Sequence, residues 1–280
     1  MFKAVKSLFL AMVFACTAVI PAFSADGLVI KGSTTVLPVA QAAVEAYMKI
    51  HKGVQISLSG GGSGEGIKAL IDGSTNIATS SREIKDKEIE LAKSKGIKPV
   101  ATVVALDALT PVVNPKNKVK NLTIDQLSQI YQGNITNWKE VGGNDMPIVV
   151  ISRDSSSGTF ESWAEFVMKK TKVTPRAQML ASNGAVYTAI SKNKNAIGYL
   201  GLGYVHKGVK VLTVNGIAAS QETALSKQYP LCRELYMYTS GEPKGEIARF
   251  IAFVKSDEGQ KLVAREGFVH LISWKGKKGK

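Results

Sequence analysis

Short apolar runs alternate with longer segments of helical periodicity along most of the chain. The run "GLVIKG" precedes "TTVLPVAQAAVEAYMKIH", and the same order recurs in "VQISLS" before "IKALIDG", in "NIATSS" before "KEIELAKSKG", and in "MPIVVIS" before "TFESWAEFVMKK". The apolar face of the first predicted helix is formed by Val39, Ala43, Tyr47 and Ile50. This repetition of strand, turn and helix predicts an α/β fold with a substantially parallel sheet.

Small and hydroxyl-bearing residues occupy all four strand-to-helix turns. They are Ser33-Thr34-Thr35, Ser63-Gly64, Ser80-Ser81 and the stretch from Ser155 to Thr159. In an open α/β sheet, ligands bind beyond the carboxyl ends of the strands, where helix N-termini present free N–H groups and a partial positive charge. Any one of these turns is explained as a helix cap, since serine and threonine are preferred caps. Four together indicate an oxyanion site.

The glycine-rich turn "GGGSGEGIKAL" matches nucleotide-binding loops only in part. "GEGIKA" has the Gly-x-Gly-x-x-Ala spacing, but the acidic residue expected about 20 positions later is hard to find near "ATSSRE". A phosphate loop would need a lysine at Ile67, directly after Gly66. The segment fits better a turn that lets the backbone approach another group closely.

Ser157 in "RDSSSGTF" is a candidate nucleophile, but a hydrolase needs a base beside it. The histidines His51, His206 and His270 lie outside any polar motif, and "SSSGTF" lacks the Gly-x-Ser-x-Gly elbow. No ligand pair for a metal occurs at helical or loop spacing. We therefore expect no catalytic residues, no metal and no cofactor, with a secreted phosphohydrolase using Ser157 as the less favoured alternative.

Asp107 interrupts the apolar stretch "VATVVALDALTPVVNP". One explanation is a strand residue whose carboxylate faces water or a backbone N–H. The other is a carboxylate in a dry cleft, which accepts a hydrogen bond but gives none. Protonated phosphate can donate that hydrogen bond, whereas fully ionised sulfate cannot, so one carboxylate would select phosphate by repelling the wrong anion.

The first residues, "MFKAVKSLFLAMVFACTAVIPAFSADG", are typical of an export signal, with Lys3 and Lys6 before an apolar run and small residues at Ala22 and Ser24. The run is shorter than the roughly 20 residues that a membrane span needs. We expect residues 1–24 to be removed, whereas a lipid-bearing Cys16 is the alternative. Without Cys16, Cys232 is alone, which excludes an intramolecular disulfide and a cysteine metal cluster.

The formal charge of the chain is +14, and loss of Lys3 and Lys6 with the signal leaves +12. Part of it lies in the terminal "WKGKKGK", which is typical of a solvated end and only weakly of a nucleic-acid arm. In an exported protein, a positive field favours attraction of a small anion or of anionic lipid. No nucleic-acid partner is expected.

Seven segments tie these features together: "IKGSTTVLPVAQ", "SLSGGGSGEGIKAL", "ATSSREI", "VVALDALTPVVNP", "SRDSSSGTFESW", "SNGAVYTAI" and "NAIGYLG". They occur in the order found in the substrate-binding component of the bacterial ABC phosphate transporter, so that the mature chain resembles that family. The resemblance implies a bilobed α/β periplasmic-binding-protein fold of type II. It also implies a monomer in the periplasm that closes around inorganic phosphate and delivers it to ABC permease subunits in the membrane.

Two stretches are candidates for the crossings between the lobes, namely "LTPVVNPKNKVKNL" and "ALSKQYPLCRELYMYTSGEPKGE". We place lobe 1 at residues 25–110 plus 230–280 and lobe 2 at residues 111–229. A cleft is expected between the two lobes.

The resemblance also implies which residues bind phosphate. In lobe 1 they are Ser33, Thr34, Thr35, Val36, Ser81, Arg82 and the proton-accepting Asp107. In lobe 2 they are Arg153, Ser157, Gly158 and Thr159, with Ser182 and Asn183 as further lining residues. The chain departs from the family pattern after the arginine: the acid that would hold its guanidinium is expected at Ser155, whereas the acid here is Asp154. A receptor for another tetrahedral oxyanion, such as sulfate or molybdate, is the alternative within binding proteins.

Overall fold

The computed structural model describes residues 27–169 and 171–271. The predicted signal peptide with Cys16 and the terminal "WKGKKGK" lie outside the described residues. Within those two ranges, no helix combines the length and the apolar character that crossing a membrane requires.

The described chain alternates strands and helices. The strands are β1 (Gly27–Gly32), β2 (Gln55–Gly60), β3 (Ile77–Ser80), β4 (Pro99–Val113), β5 (Asn121–Leu122), β6 (Val149–Arg153), β7 (Gln178–Leu180), β8 (Ala196–Gly201), β9 (Lys210–Val211), β10 (Thr213–Val214) and β11 (Cys232–Ser240). The α-helices are α1 (Leu37–Ile50), α2 (Ser63–Ile71), α3 (Asp86–Ser94), α4 (Ile124–Gln132), α5 (Gly158–Trp163), α6 (Asn183–Lys192), α7 (Gln221–Leu225), α8 (Gly245–Lys255) and α9 (Asp257–Arg265). Short 3-10 helices span Trp138–Val141 and Leu202–Tyr204, and a π-helical turn, Ala164–Met168, continues α5.

One mixed sheet runs through both halves of the fold, in the order β2-β1-β3-β11-β4-β8-β6-β7. The strands β1, β2 and β3 are parallel at one side, and β6, β7 and β8 are parallel at the other. Between them, β11 and β4 pair antiparallel with their neighbours. The predicted α/β fold is therefore confirmed, with parallel pairing confined to the two sides of the sheet.

The long strand β4 belongs to both lobes. Its first part, up to Ala108, pairs with β11, whereas its last part, from Leu109, pairs with β8. The returning strand β11 begins at Cys232. The predicted lobe boundaries, at 110/111 and 229/230, lie close to these two points, and the division at those residues stays a prediction. Lobe 1 denotes the half with β1, β2, β3 and β11, and lobe 2 denotes the half with β6, β7 and β8.

The core of lobe 1 is formed where α1, α8 and α9 pack over the sheet. Val39, Ala43 and Tyr47 of α1 are buried there, and Tyr47 meets Phe250 edge to face with ring centroids 5.4 Å apart. Ile50, predicted on the same face, is 57% exposed because it is the last residue of α1 and lies beyond the packed region. The helical periodicity thus predicted the buried face of α1 correctly, but not the residue at which burial ends.

Three aromatic rings pack together in the core of lobe 2. Trp163 stacks on Tyr199 with centroids 4.4 Å apart and planes 9° apart, and Tyr131 packs against both rings. The hydroxyl of Tyr199 in turn accepts a hydrogen bond from the backbone N–H of Arg153 at 3.2 Å. This core therefore supports the end of β6, the point at which the candidate site begins.

Gly32 ends β1 with a φ of +140°, and a Cβ there would lie 2.1 Å from the carbonyl oxygen of Thr79 in β3. We predict that Gly32→Ala lowers the free energy of unfolding by about 2–5 kcal/mol, since backbone strain and steric overlap add. The matched control is Gly53→Ala, because Gly53 has a φ of +99° and nothing within 4 Å of its Cβ position. The control should lose only about 1–2 kcal/mol. Equal losses in urea-induced unfolding would contradict the close approach of β1 and β3.

Candidate anion-binding site

Four helices begin at one place between the lobes. Helices α1 and α2 start there from lobe 1, and α5 and α6 start there from lobe 2. The first N–H groups of a helix have no intrahelical acceptor, and the helix dipole makes that end partly positive. Three of these helices follow predicted hydroxyl-rich turns, whereas α6 follows Ser182, and the turn Ser80-Ser81 leads to α3, which begins only at Asp86. The four helix starts create a positive environment from backbone atoms alone.

A cluster of threonine hydroxyls joins the two lobes at this place. Thr35 Oγ1 lies 2.8 Å from Thr159 Oγ1, and both residues are about 1% exposed. The amide Nδ2 of Asn183 donates to Thr34 Oγ1 at 3.1 Å and to Thr35 Oγ1 at 3.0 Å. Because these hydroxyl oxygens accept from Asn183, their hydrogens are left to donate to other groups.

Arg153, at the end of β6, is the most deeply buried cation of the site, at 1% exposure. Its Nε donates to the carbonyl oxygen of Leu180 at 2.9 Å. Its Nη2 donates to the carbonyl oxygen of Ala181 at 2.9 Å and to Thr34 Oγ1 at 3.3 Å. Its Nη1 is buried and has no hydrogen-bond partner among the described residues. Burial lowers the pKa of this guanidinium, although the charge of Asp154 acts in the opposite direction.

The structure shows how Arg153 is oriented without an acid at position 155. Backbone carbonyls of the neighbouring strand hold the guanidinium, and β6 and β7 pair so that Arg153 stands beside Leu180. The carboxylate of Asp154 is used elsewhere: Oδ1 accepts from Ser156 N at 2.8 Å and from Ser156 Oγ at 2.5 Å. Asp154 therefore shapes the turn before α5 and forms no ion pair with Arg153.

Arg233 also lies at this site, although no sequence pattern predicted it there. It stands opposite Asp107 in the pairing of β11 with β4. Its Nε and Nη2 donate to Asp107 Oδ2 at 3.0 and 2.8 Å, and Nη2 also reaches Thr159 Oγ1 at 3.1 Å. The available signal was an arginine inside the apolar strand "LCRELYMYT", which mirrors the aspartate inside "VVALDALTP".

Asp107 has hydrogen-bond partners within the protein. Its carboxylate is fully buried, and Oδ1 accepts from the N–H of Leu202 at 2.9 Å while Oδ2 accepts twice from Arg233. Burial raises the pKa of this carboxyl, whereas Arg233 and the Leu202 N–H act against that rise. The carboxylate thus has partners within the protein, as in the alternative in which it faces a backbone N–H.

Ser63, which the sequence placed at a turn but not in the ligand-binding set, lies beside Ser81. The Oγ of Ser63 accepts from the N–H of Ser81 at 3.1 Å and lies 3.4 Å from its hydroxyl. A Cβ at Gly158 would lie 2.3 Å from Ser63 Oγ and 2.8 Å from Ser81 Oγ. Only glycine lets the start of α5 approach these two hydroxyls of lobe 1 so closely.

Two predicted hydroxyls cap helices, and a third holds the turn before α1. Ser33 Oγ accepts from the N–H groups of Thr35 and Val36, at 3.1 and 3.4 Å. Ser157 Oγ accepts from Phe160 N at 3.2 Å, and Ser182 Oγ accepts from Ala185 N at 3.1 Å. A capping hydroxyl keeps its hydrogen for another acceptor. Capping and ligand binding by the same serine are therefore compatible.

Arg82 is held by carboxylates of both lobes. Its Nη1 and Nη2 form a bidentate pair with Glu88, each at 2.7 Å, and its Nε lies 2.8 Å from Glu161 Oε2. Glu88 is on α3 of lobe 1, whereas Glu161 is on α5 of lobe 2. Arg82 therefore joins the two lobes through these carboxylates, and its predicted contact with the ligand stays a prediction.

The histidines lie away from Ser157. His51 stacks on Tyr47, His206 meets Tyr187 edge to face, and His270 contacts the amide of Gln221. Residues 27–169 and 171–271 contain no group of three or more histidine, cysteine, aspartate or glutamate side chains able to hold a metal ion. The chemistry that the site offers is hydrogen-bond donation: two guanidinium groups and one carboxylate leave one net positive charge among hydroxyls and helix N-termini.

Comparison of the sequence with known proteins places the chain in a family. A sequence model described as a PBP superfamily domain matches residues 17–258. The phosphate-binding protein PstS of Borreliella burgdorferi is 36% identical over 252 residues, covering 86% of this chain and 88% of the relative. PstS of Bacillus subtilis is 30% identical over 254 residues, covering 90% and 83% of the two chains.

The similar solved structures include proteins of the same kind as these relatives. A putative phosphate ABC transporter substrate-binding protein from Clostridium perfringens, crystallised with bound phosphate, superimposes with a TM-score of 0.82 at 37% identity, covering 88% of this chain and all of the other. An ABC-type phosphate transport receptor from Vibrio cholerae gives a TM-score of 0.71 at 34% identity, covering 86% and 99% of the two chains. The chain thus belongs to the PBP superfamily and, within it, to the family of the PstS phosphate-binding proteins.

Proposed function

We propose that this protein binds inorganic phosphate outside the cytoplasm and delivers it to an ABC permease for import. The observation that carries the proposal is Arg153, a cation at 1% exposure that forms no salt bridge with a carboxylate of the described residues. Taking a charge out of water without a counter-ion is strongly unfavourable. A bound anion removes that cost, and the names of the relatives identify the anion as phosphate.

The groups around Arg153 suit a tetrahedral oxyanion. Ligand oxygens would accept from the guanidinium, from the threonine and serine hydroxyls, and from the N–H groups at the starts of α1 and α5. We assign Thr34, Thr35, Ser81, Ser157 and Thr159 as hydroxyl donors, and Val36 and Gly158 as backbone donors. Ser33 and Ser182 support the turns that present them, and Asn183 orients the threonine hydroxyls.

Binding would be coupled to closure of the two lobes, because the donors come from both. Several contacts cross between the lobes beside the site. Ser156 is held by Gly61 and Gly64, with Ser156 Oγ donating to Gly61 O at 3.2 Å and Gly64 N donating to Ser156 O at 3.0 Å. The hydroxyl of Tyr204 also donates to the carbonyl oxygen of Thr34 at 2.5 Å. These contacts support a ligand that is enclosed rather than held at an open surface.

We also propose that the protein is exported, that it acts together with a membrane permease, and that it has no catalytic activity. The signal sequence supports release of the mature chain into the periplasm as a monomer, where permease subunits in the membrane are its partners. Catalysis by Ser157 would need a base, whereas the hydroxyl of Ser157 caps α5 and the histidines pack elsewhere. We therefore assign it as a binding protein and not as an enzyme.

Titration calorimetry on the mature chain tests the function. Inorganic phosphate should bind with 1:1 stoichiometry, and excess sulfate or molybdate should not displace it. Comparable affinity for sulfate would show that the protein is a receptor for another tetrahedral oxyanion and not specific for phosphate. If the protein hydrolyses a chromogenic phosphate ester and Ser157→Ala loses this activity, the protein is a phosphohydrolase and not a binding protein.

Arg153→Ala should weaken phosphate binding by at least a hundredfold, or about 2.7 kcal/mol, because a buried anion loses a charge-assisted partner. The matched control is Arg176→Ala, which removes an exposed arginine outside the site and should leave the dissociation constant unchanged. Calorimetry measures both. A change below tenfold in Arg153→Ala would exclude Arg153 from the site.

The ion pair of Glu161 between the lobes generates a further prediction. Glu161 Oε2 lies 2.8 Å from both Arg82 Nε and Lys85 Nζ, and Lys85 is about half exposed. Glu161→Gln should weaken phosphate binding about two- to tenfold at low salt, because a partly exposed pair contributes on the order of 1 kcal/mol to the closed form. Small-angle scattering should show a larger radius of gyration for the unliganded variant.

The control for that change is Asp145→Asn, which breaks the exposed pair with Lys139 inside lobe 2. It should alter neither the affinity nor the scattering. Glu161→Gln with the affinity and the scattering of the unchanged protein would show that this ion pair does not act in closure.

A further inference from the structure

The Arg233 guanidinium ends inside the site, although neither the turns nor the family resemblance pointed to it. Nε and Nη2 form one edge of this planar group, and both donate to Asp107 Oδ2. The second hydrogen of Nη2 is directed to Thr159 Oγ1, at 3.1 Å, with Thr35 Oγ1 at 3.4 Å. Because the five N–H bonds lie in one plane, the end formed by Nη1 and Nη2 faces the threonine pair.

The two arginines of the site share an unusual feature. Nη1 of Arg233 and Nη1 of Arg153 are both buried and have no hydrogen-bond partner among the described residues. The residues are 7% and 1% exposed. A buried charged donor without an acceptor is unfavourable. Since Arg153 reaches Thr34 and Arg233 reaches Thr35, and Asn183 bridges these two hydroxyls, one anion beside them would serve both guanidinium groups.

The carboxylate of Asp107 is turned toward Arg233. Oδ2 accepts two hydrogen bonds from the guanidinium, and Oδ1 accepts one from Leu202 N. No hydroxyl of the threonine cluster donates to either oxygen among the described residues. The same strand register that pairs Asp107 with Arg233 fixes this direction, since the two residues stand opposite each other on β4 and β11.

We propose that Arg233 is a second cationic residue of the phosphate site and that Asp107 is a positioning residue, which holds the Arg233 guanidinium against the threonine hydroxyls. The inference rests on the proposed function and deepens it. The ligand then meets one guanidinium from each lobe, Arg153 from lobe 2 and Arg233 from lobe 1. Discrimination between phosphate and sulfate does not depend on Asp107 accepting the ligand's proton.

Removing both charges of the pair tests the role of Arg233. Arg233→Met alone would strand a buried carboxylate and endanger folding, whereas Asp107→Asn with Arg233→Met leaves no buried unpaired charge. We expect the double variant to bind inorganic phosphate at least tenfold more weakly than the unchanged protein. Arg233→Lys should show a similar loss, because one ammonium group cannot reproduce the fork between Asp107 and Thr159. Less than a tenfold loss in either folded variant overturns the proposal.

The single variant Asp107→Asn tests the positioning role. It should weaken phosphate and sulfate binding by similar factors, so that the ratio of the two dissociation constants changes by less than tenfold. A larger fall in that ratio, with sulfate gaining on phosphate, would show that Asp107 accepts the ligand's proton and would overturn the proposal.

Controls separate this inference from the function on which it rests. Arg249→Met removes a cation whose side chain is 61% exposed and should bind phosphate as the unchanged protein does. Thermal unfolding confirms that each variant is folded. If the unchanged protein itself fails to bind phosphate, the proposed function is wrong. If it binds and the Arg233 variants bind within tenfold of it, only the inference about Arg233 is wrong.

Discussion

The burial of Arg153 is the constraint around which the site is organised. A guanidinium at 1% exposure needs acceptors for its N–H groups and a compensating charge. The carbonyls of Leu180 and Ala181 supply part of the acceptors, and no carboxylate is in contact with it among the described residues. The positive charge of Arg153 is therefore available to a bound anion. The surrounding hydroxyls and helix N-termini add hydrogen-bond donors but no negative charge.

The sheet explains why residues so distant in sequence meet here. Strand β4 exchanges β11 for β8 at Leu109, two residues beyond Asp107. The strand ends of both lobes therefore come together at this crossing. Asp107 and Arg233 occupy the crossing itself, while Arg153 stands at the end of β6. A single long strand thus determines the spacing between the cations of the two lobes.

Local pattern predicted much of this arrangement. Turns such as Ser33 to Thr35 and Ser155 to Thr159 lie between a strand and a helix. A window of about a dozen residues is enough to recognise their hydroxyl groups and their place before a helix. Two features of the arrangement are non-local. Arg233 could be identified only by knowing that β11 returns beside β4, 126 residues after Asp107. Of the two carboxylates that hold Arg82, Glu88 is six residues away, whereas Glu161 lies in the other lobe and could not be found by a local reading.

The means by which Arg153 is held has a consequence for how the sequence can change over time. An orienting carboxylate can be lost by one substitution, whereas the carbonyls of Leu180 and Ala181 belong to the main chain and survive any replacement of those side chains. Positions 154 and 155 are thereby released from the task of steering the guanidinium. Substitution of Ser155, which is exposed, then leaves the carbonyl contacts of the arginine in place.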